Sequence, residues 1–152
     1  MSGIIERFFK NYCPVCKADE KAGGDLNYTI FRVGVGLMFF QHGLQKVFGL
    51  FGGVGGTGMG VPDLTSLFGY AGLIELIGGL AVILGVFTRL SALIVVIEMA
   101  VAYFMVHAPK GAIPLLNGGE LAVLFFLTHL LMLKYGSGKW GLERAMLGKE
   151  VF

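Results

Sequence analysis

The chain has 152 residues, 55% hydrophobic and only 14% charged, with a net charge of +2 and a mean hydropathy of +0.76. A soluble domain carries about 25% charged residues, and one this small lacks a core large enough to hide so much apolar surface. The small net charge and the lack of a dense basic run exclude nucleic acid as a partner.

Residues 1–27 read as a hydrophilic segment. No signal-peptide apolar core occurs from Met1 to Asp25, so the first span itself is expected to direct insertion. The segment holds Cys13-Pro-Val-Cys16. One such pair supplies two metal ligands, whereas a structural zinc needs four. Three readings stand: half of a zinc or iron knuckle completed by a second subunit, a dithiol that cycles with a redox partner, or reduced cytosolic thiols with no role. Lys10 and Lys17 nearby favour the thiolate.

Four apolar stretches follow, each near the roughly 20 residues that cross a bilayer. They predict helices over residues 28–48, 67–87, 90–107 and 115–133. Strands are excluded because apolar residues run without alternation and no barrel-length series exists. The first connection, residues 51–63, is rich in glycine but is no phosphate loop, since no Gly-Lys-Ser/Thr follows. Thr88 and Arg89 leave almost no loop between helices two and three, which predicts a tight hairpin. Pro109 and Pro114 mark the turn before helix four. Residues 28–134 thus form one membrane domain and residues 135–152 a tail.

Four spans put both termini on one side. Arg7, Lys10, Lys17, Lys21, Arg32, Arg89, Lys134, Lys139, Arg144 and Lys149 fall there, against Lys46 and Lys110 opposite. The positive-inside rule then places the termini in the cytoplasm. The expected architecture is all-α: an integral, multi-pass four-helix bundle of the plasma (inner) membrane, in contact with lipid.

Ionisable residues set in hydrocarbon cost at least a few kcal/mol each and are functional-site candidates by default. At about 100° per residue, Arg32, Phe39, His42 and Lys46 cluster on one face of helix one. Gly72, Glu75 and Gly79 share a stripe on helix two, as do Ser91, Glu98 and Ala102 on helix three. Asn117 and Glu120 sit together on helix four. By depth, His42, Lys46, His107, Asn117 and Glu120 lie in the outer leaflet, Glu75 and Glu98 near the middle, and Arg32 and Arg89 toward the cytoplasm. The polar groups form a funnel opening outward. One reading makes them buried pairs that hold the helices in register, with Arg32 and Arg89 as structural groups. The other makes His42, Lys46, Glu75, Glu98, His107, Asn117 and Glu120 a site that binds a polar headgroup or relays protons. His129, alone in a Leu/Phe helix, is expected to bond to a neighbouring helix. Di-iron chemistry is disfavoured, because Glu98 and Glu120 are not followed by the Glu-x-x-His spacing. Haem ligation by His42 and His107 is a remote option.

Several motifs in order carry a resemblance. They are Arg32-Val-Gly-Val-Gly, Phe40-Gln-His-Gly-Leu-Gln-Lys-Val-Phe-Gly49, and Glu75-Leu-Ile-Gly-Gly-Leu-Ala-Val-Ile-Leu-Gly85 with Thr88-Arg89. Asn117-Gly-Gly-Glu-Leu-Ala122 and Tyr135-Gly-Ser-Gly-Lys-Trp-Gly-Leu-Glu143 complete them. Together they resemble the DoxX family of small four-helix membrane proteins, from about Tyr28 to Glu143. The resemblance implies a membrane subunit of the kind linked to thiosulfate oxidation with quinone as acceptor, or associated with oxidoreductase complexes and oxidative stress. It places His42, Lys46, Glu75, Arg89, Glu120 and His107 on the family's polar positions. Cys13 and Cys16 are not part of its pattern.

The combined expectation is a redox-associated small subunit whose intramembrane pocket takes a quinone-like or other small amphipathic molecule. Zinc or iron is the metal expected at Cys13/Cys16 if a second subunit completes the site. A membrane or cytoplasmic redox partner and a homo-oligomer are the expected protein contacts. The alternative is a non-enzymatic scaffold that assembles a membrane complex. A quinone site predicts a side portal and an apolar slot beside His42, whereas a scaffold predicts fully paired charges and no pocket.

Overall fold

The computed structural model describes residues 25–151. The Cys13/Cys16 pair therefore lies outside the described residues. Helix α1 spans Leu26–Phe48, α2 Leu67–Leu84 and α3 Thr88–Ala102. Helix α3 continues through a π-helical turn, Tyr103–His107, and a 3-10 turn, Ala108–Lys110. A short α4, Pro114–Asn117, precedes α5, Glu120–Tyr135, and α6 spans Leu142–Leu147. No strand occurs among the described residues.

Two boundaries differ from the hydropathy reading, both through glycine. Helix α2 stops at Leu84 because Gly85 turns left-handed (φ 69°) and its N–H bonds back to the carbonyls of Ala81 and Val82. The predicted fourth helix is broken at Gly118 (φ 72°) and restarts at Glu120. Asn117 and Glu120 consequently belong to different helices. Hydropathy alone misses the first break because apolar Val86 and Phe87 continue through it, and it misses the second because apolar runs flank Asn117-Gly118-Gly119-Glu120 on both sides.

Helix α1 packs along α2 and α3 along α5, with further contacts of α2 with α3 and of α1 with α5. The α1–α2 approach is backbone to backbone. A Cβ on Gly43 would lie 2.3 Å from the Leu76 nitrogen, and one on Gly79 would lie 2.6 Å from the Phe40 nitrogen. Small residues at these positions are what allow so close a contact. The interior contains Phe39, Val95, Met99, Ala122 and Phe125, with the Phe39 and Phe125 rings edge to face at 5.0 Å. A second cluster joins Val82, Ala92 and Met132.

The exterior is apolar. Ile77, Leu80, Ile97, Leu127 and Leu131 are all exposed, while Arg32, Glu75 and His129 are buried. Such a distribution inverts the usual arrangement in water. Two helical stretches, Leu67–Leu84 and Thr88–Lys110, are long and apolar enough to cross a membrane.

At the end of the molecule where the described chain starts and finishes, two arginines serve as helix caps. Buried Arg32 donates from Nη1 to the Val82 carbonyl and to the Ile83 carbonyl (2.9 Å), and from Nη2 to Trp140 O (3.3 Å). Arg89 donates from Nη1 to Leu133 O and Lys134 O, both at 2.9 Å. Each arginine rises from an early turn of one helix and satisfies orphan carbonyls at the end of another, Arg32 of α1 those of α2 and Arg89 of α3 those of α5.

Candidate functional site

The site begins with Lys46 in the last turn of α1. Gly72 on α2 faces the Lys46 Cβ, where a Cβ would come within 2.8 Å. The absence of a side chain there lets Lys46 lie across α2. Its Nζ reaches Glu75 Oε1 at 2.5 Å and stands 6.0 Å from the centre of the Phe68 ring. The second oxygen, Glu75 Oε2, is buried with no hydrogen-bond partner among the described residues. Both Glu98 carboxylate oxygens, on α3, are in the same condition.

Lys46 and Glu98 form the polar part of a slot of about 290 Å³ between α2 and α3. Its apolar walls include Ala71 and Ile74 on α2 and Ile97 and Val101 on α3. Met105 and Val106 of the π-helical turn also border it. Turns of this kind recur at functional sites. The slot opens on the apolar exterior, where Tyr70 and Ile97 are exposed. A second hollow of about 240 Å³ shares Tyr70, Ile74 and Ile94 with the first and runs on past Ile77 to Ser91. The two make one groove, polar at one end and apolar along its length.

The remaining candidates are distributed differently. His42 lies one turn before Lys46 with its ring edge to face against Phe125 at 5.7 Å, and it is not in the slot wall. The apolar slot therefore stands beside Lys46 and Glu98, not beside His42. His107 and Asn117 meet outside the slot: His107 Nδ1 is 3.2 Å from Asn117 O, and Asn117 donates to Gly111 O at 2.7 Å. Asn117 Oδ1 also accepts from Gly119 N at 2.8 Å. These contacts fasten the turn between α3 and α5. Glu120 is exposed in the first turn of α5, away from the slot. His129 bonds to Phe125 O of its own helix at 2.8 Å, not to a neighbour. Its position in mid-helix puts that carbonyl within reach one turn back. Among the described residues no three His, Cys, Asp or Glu side chains converge as a metal site.

Residue-type reasoning overlooked Phe68, which stands over Lys46, and the tail glutamates Glu143 and Glu150. Buried Glu143 accepts from Phe87 N and Val151 N, both at 3.2 Å, and Glu150 accepts from Ser137 N at 2.5 Å.

The DoxX family model matches residues 28–108, more than half of the chain. An uncharacterized protein of Haemophilus influenzae is 41% identical over 126 residues, 80% of this chain and 91% of that one. A Bacillus subtilis protein named "Putative oxidoreductase CatD" is 31% identical over 114 residues, 74% of this chain and 81% of its own. An uncharacterized membrane protein of Mycobacterium tuberculosis is 25% identical over 139 residues, 82% of this chain and 84% of its own. No solved structure matches.

Proposed function

The chain belongs to the DoxX family, and from that premise we propose that it is a redox-associated small subunit of the plasma (inner) membrane that binds a quinone-like or other small amphipathic molecule. The observation that carries this reading is the groove between α2 and α3. It offers Lys46 and Glu98 at one end and aliphatic walls along the rest. A ring with polar substituents fits the first part and an isoprenoid-like tail the second. An opening on the apolar exterior would admit such a molecule from the lipid. The oxidoreductase name of the Bacillus relative and the membrane name of the mycobacterial one agree with the proposal.

In this reading α1, α2, α3 and α5 all cross the bilayer as one bundle, and both termini are cytoplasmic. Charge asymmetry supports the orientation. In a Cys13→Ser/Cys16→Ser background, Thr57→Cys should react with a membrane-impermeant maleimide in intact cells, and Lys149→Cys only after permeabilisation. The reverse labelling pattern overturns the orientation.

Electron transfer would involve a partner protein, with Cys13 and Cys16 as its dithiol contact or as half of a shared zinc or iron knuckle. Ligand binding is tested directly by equilibrium dialysis of the detergent-solubilised protein against decylubiquinone. Binding should be saturable and should be abolished by Ala71→Trp, which fills the slot. Unchanged binding in that variant, or none in the wild type, removes the pocket reading and leaves the scaffold. The carbonyl-capping arginines Arg32 and Arg89 are what a scaffold would share with a binding protein.

A further inference from the structure

The groups at the polar end of the groove are not matched to one another. Lys46 is the cation and Glu75 and Glu98 are the two acids. Only Glu75 Oε1 receives a hydrogen bond, while Glu75 Oε2 and both oxygens of Glu98 are buried without a partner among the described residues. A polar group buried in this way is costly, and a charge more so. Of the two acids, Glu98 lines the slot. The Lys46 ammonium has three N–H donors, one of which serves Glu75, and Lys46 lines the slot too. The slot therefore presents an acceptor that needs a donor, and in the same wall a donor with spare capacity.

Resting on the ligand site proposed above, we infer that this slot takes a lipophilic phenol or hydroquinone, whose hydroxyl donates to a Glu98 carboxyl oxygen and accepts from Lys46. A hydroxyl has one donor and two lone pairs, so it can answer both groups together. A quinone carbonyl has lone pairs only. It can accept from Lys46 but offers no donor to the Glu98 carboxyl oxygens. An ammonium-bearing ligand could donate to Glu98 but would bring a like charge against Lys46. The aromatic ring carrying the hydroxyl would lie near Phe68 and Tyr70, which border the slot with Ala71 and Ile97.

The probes are tetramethylhydroquinone and its dimethyl ether, bound anaerobically to the solubilised full chain and followed by equilibrium dialysis. The ether keeps the ring and the oxygen lone pairs but has no donor. The wild type should bind the hydroquinone roughly fivefold more tightly than the ether, as expected for one net hydrogen bond. Glu98→Leu should bind the two equally, and Glu98→Gln should retain only part of the preference. Glu98→Leu removes an unpartnered acid, so its melting temperature should not fall below that of the wild type, which keeps loss of preference distinct from loss of fold. If the wild type binds both compounds equally and Ala71→Trp abolishes both, the donor assignment is overturned while the slot stands as a ligand site. If neither compound binds, or Ala71→Trp leaves binding intact, the slot reading fails and this inference with it.

Discussion

Lys46→Met should destabilise the protein by about 3–5 kcal/mol, the usual result of removing one partner from a buried ion pair. Glu75 is 4% exposed and its one hydrogen bond among the described residues comes from Lys46. Methionine fills the space of the lysine stem beside Gly72 but supplies no donor, so the carboxylate loses its counter-charge in an apolar setting. The double variant Lys46→Met/Glu75→Leu should recover most of the loss, since an apolar pair of similar volume often replaces a buried ion pair at little cost. Thermal melting in detergent, with size-exclusion chromatography as the check on fold, measures both. A single variant as stable as the wild type would show that the pair contributes nothing to stability. Failure of the double variant to recover would mean that Lys46 acts through packing across Gly72 and Phe68, not through its charge.

Arg32→Leu is the second large effect, on the order of 3 kcal/mol. Its guanidinium holds three carbonyls, those of Val82, Ile83 and Trp140. A buried carbonyl left without a donor costs about 1–3 kcal/mol. Gly85 N bonds back to Val82 O at 3.3 Å, which limits the loss at that carbonyl. Arg32→Lys should rescue only part, because an ammonium lacks the planar fork that spans two segments of chain. The effect should also have a local signature. Without Arg32 the segment around Trp140 keeps the bonds between Tyr28 and Gly136 and between Lys139 and Asp25 but loses the tie at Trp140 itself, so chymotrypsin should cleave there at concentrations that leave the wild type intact. Equal cleavage rates in Arg32→Leu and the wild type would count against Arg32 as the fastening between α1, the end of α2 and the tail.

The candidate site was legible in part. Helix periodicity brought Arg32, Phe39, His42 and Lys46 to one side of α1, and it set Glu75 between Gly72 and Gly79. It could not choose among Glu75, Glu98 and Glu120 as the partner of Lys46. Glu120 was drawn into the group by an unbroken fourth helix, and Gly118 and Gly119 break that helix. Depth, with the face that Asn117 shares with Glu120, places Asn117 and His107 in an outward funnel, yet in the packed chain both bond to backbone at the α3–α5 turn. His42 was preferred because it shares a face with Lys46. The slot instead lies between α2 and α3, and from those helices it reaches Lys46 and Glu98 without including His42.

Composition and hydropathy by themselves determined that the chain is helical, where its long helices lie to within a few residues, and that ionisable groups sit within apolar stretches. These are local properties: each follows from a run of neighbouring residues and the 3.6-residue period. The tertiary structure decided which of those groups meet. That choice depends on how closely two backbones approach and how each helix is rotated. Gly43 and Gly79 permit the α1–α2 contact, while Gly72 lets Lys46 cross to Glu75. Residues 29 positions apart along the chain become ion-pair partners, whereas Glu98 is left beside a slot with its oxygens unanswered. A pattern along one helix carries no information about rotation against another, so the partner of Lys46 and the position of the slot emerged only from the packed chain.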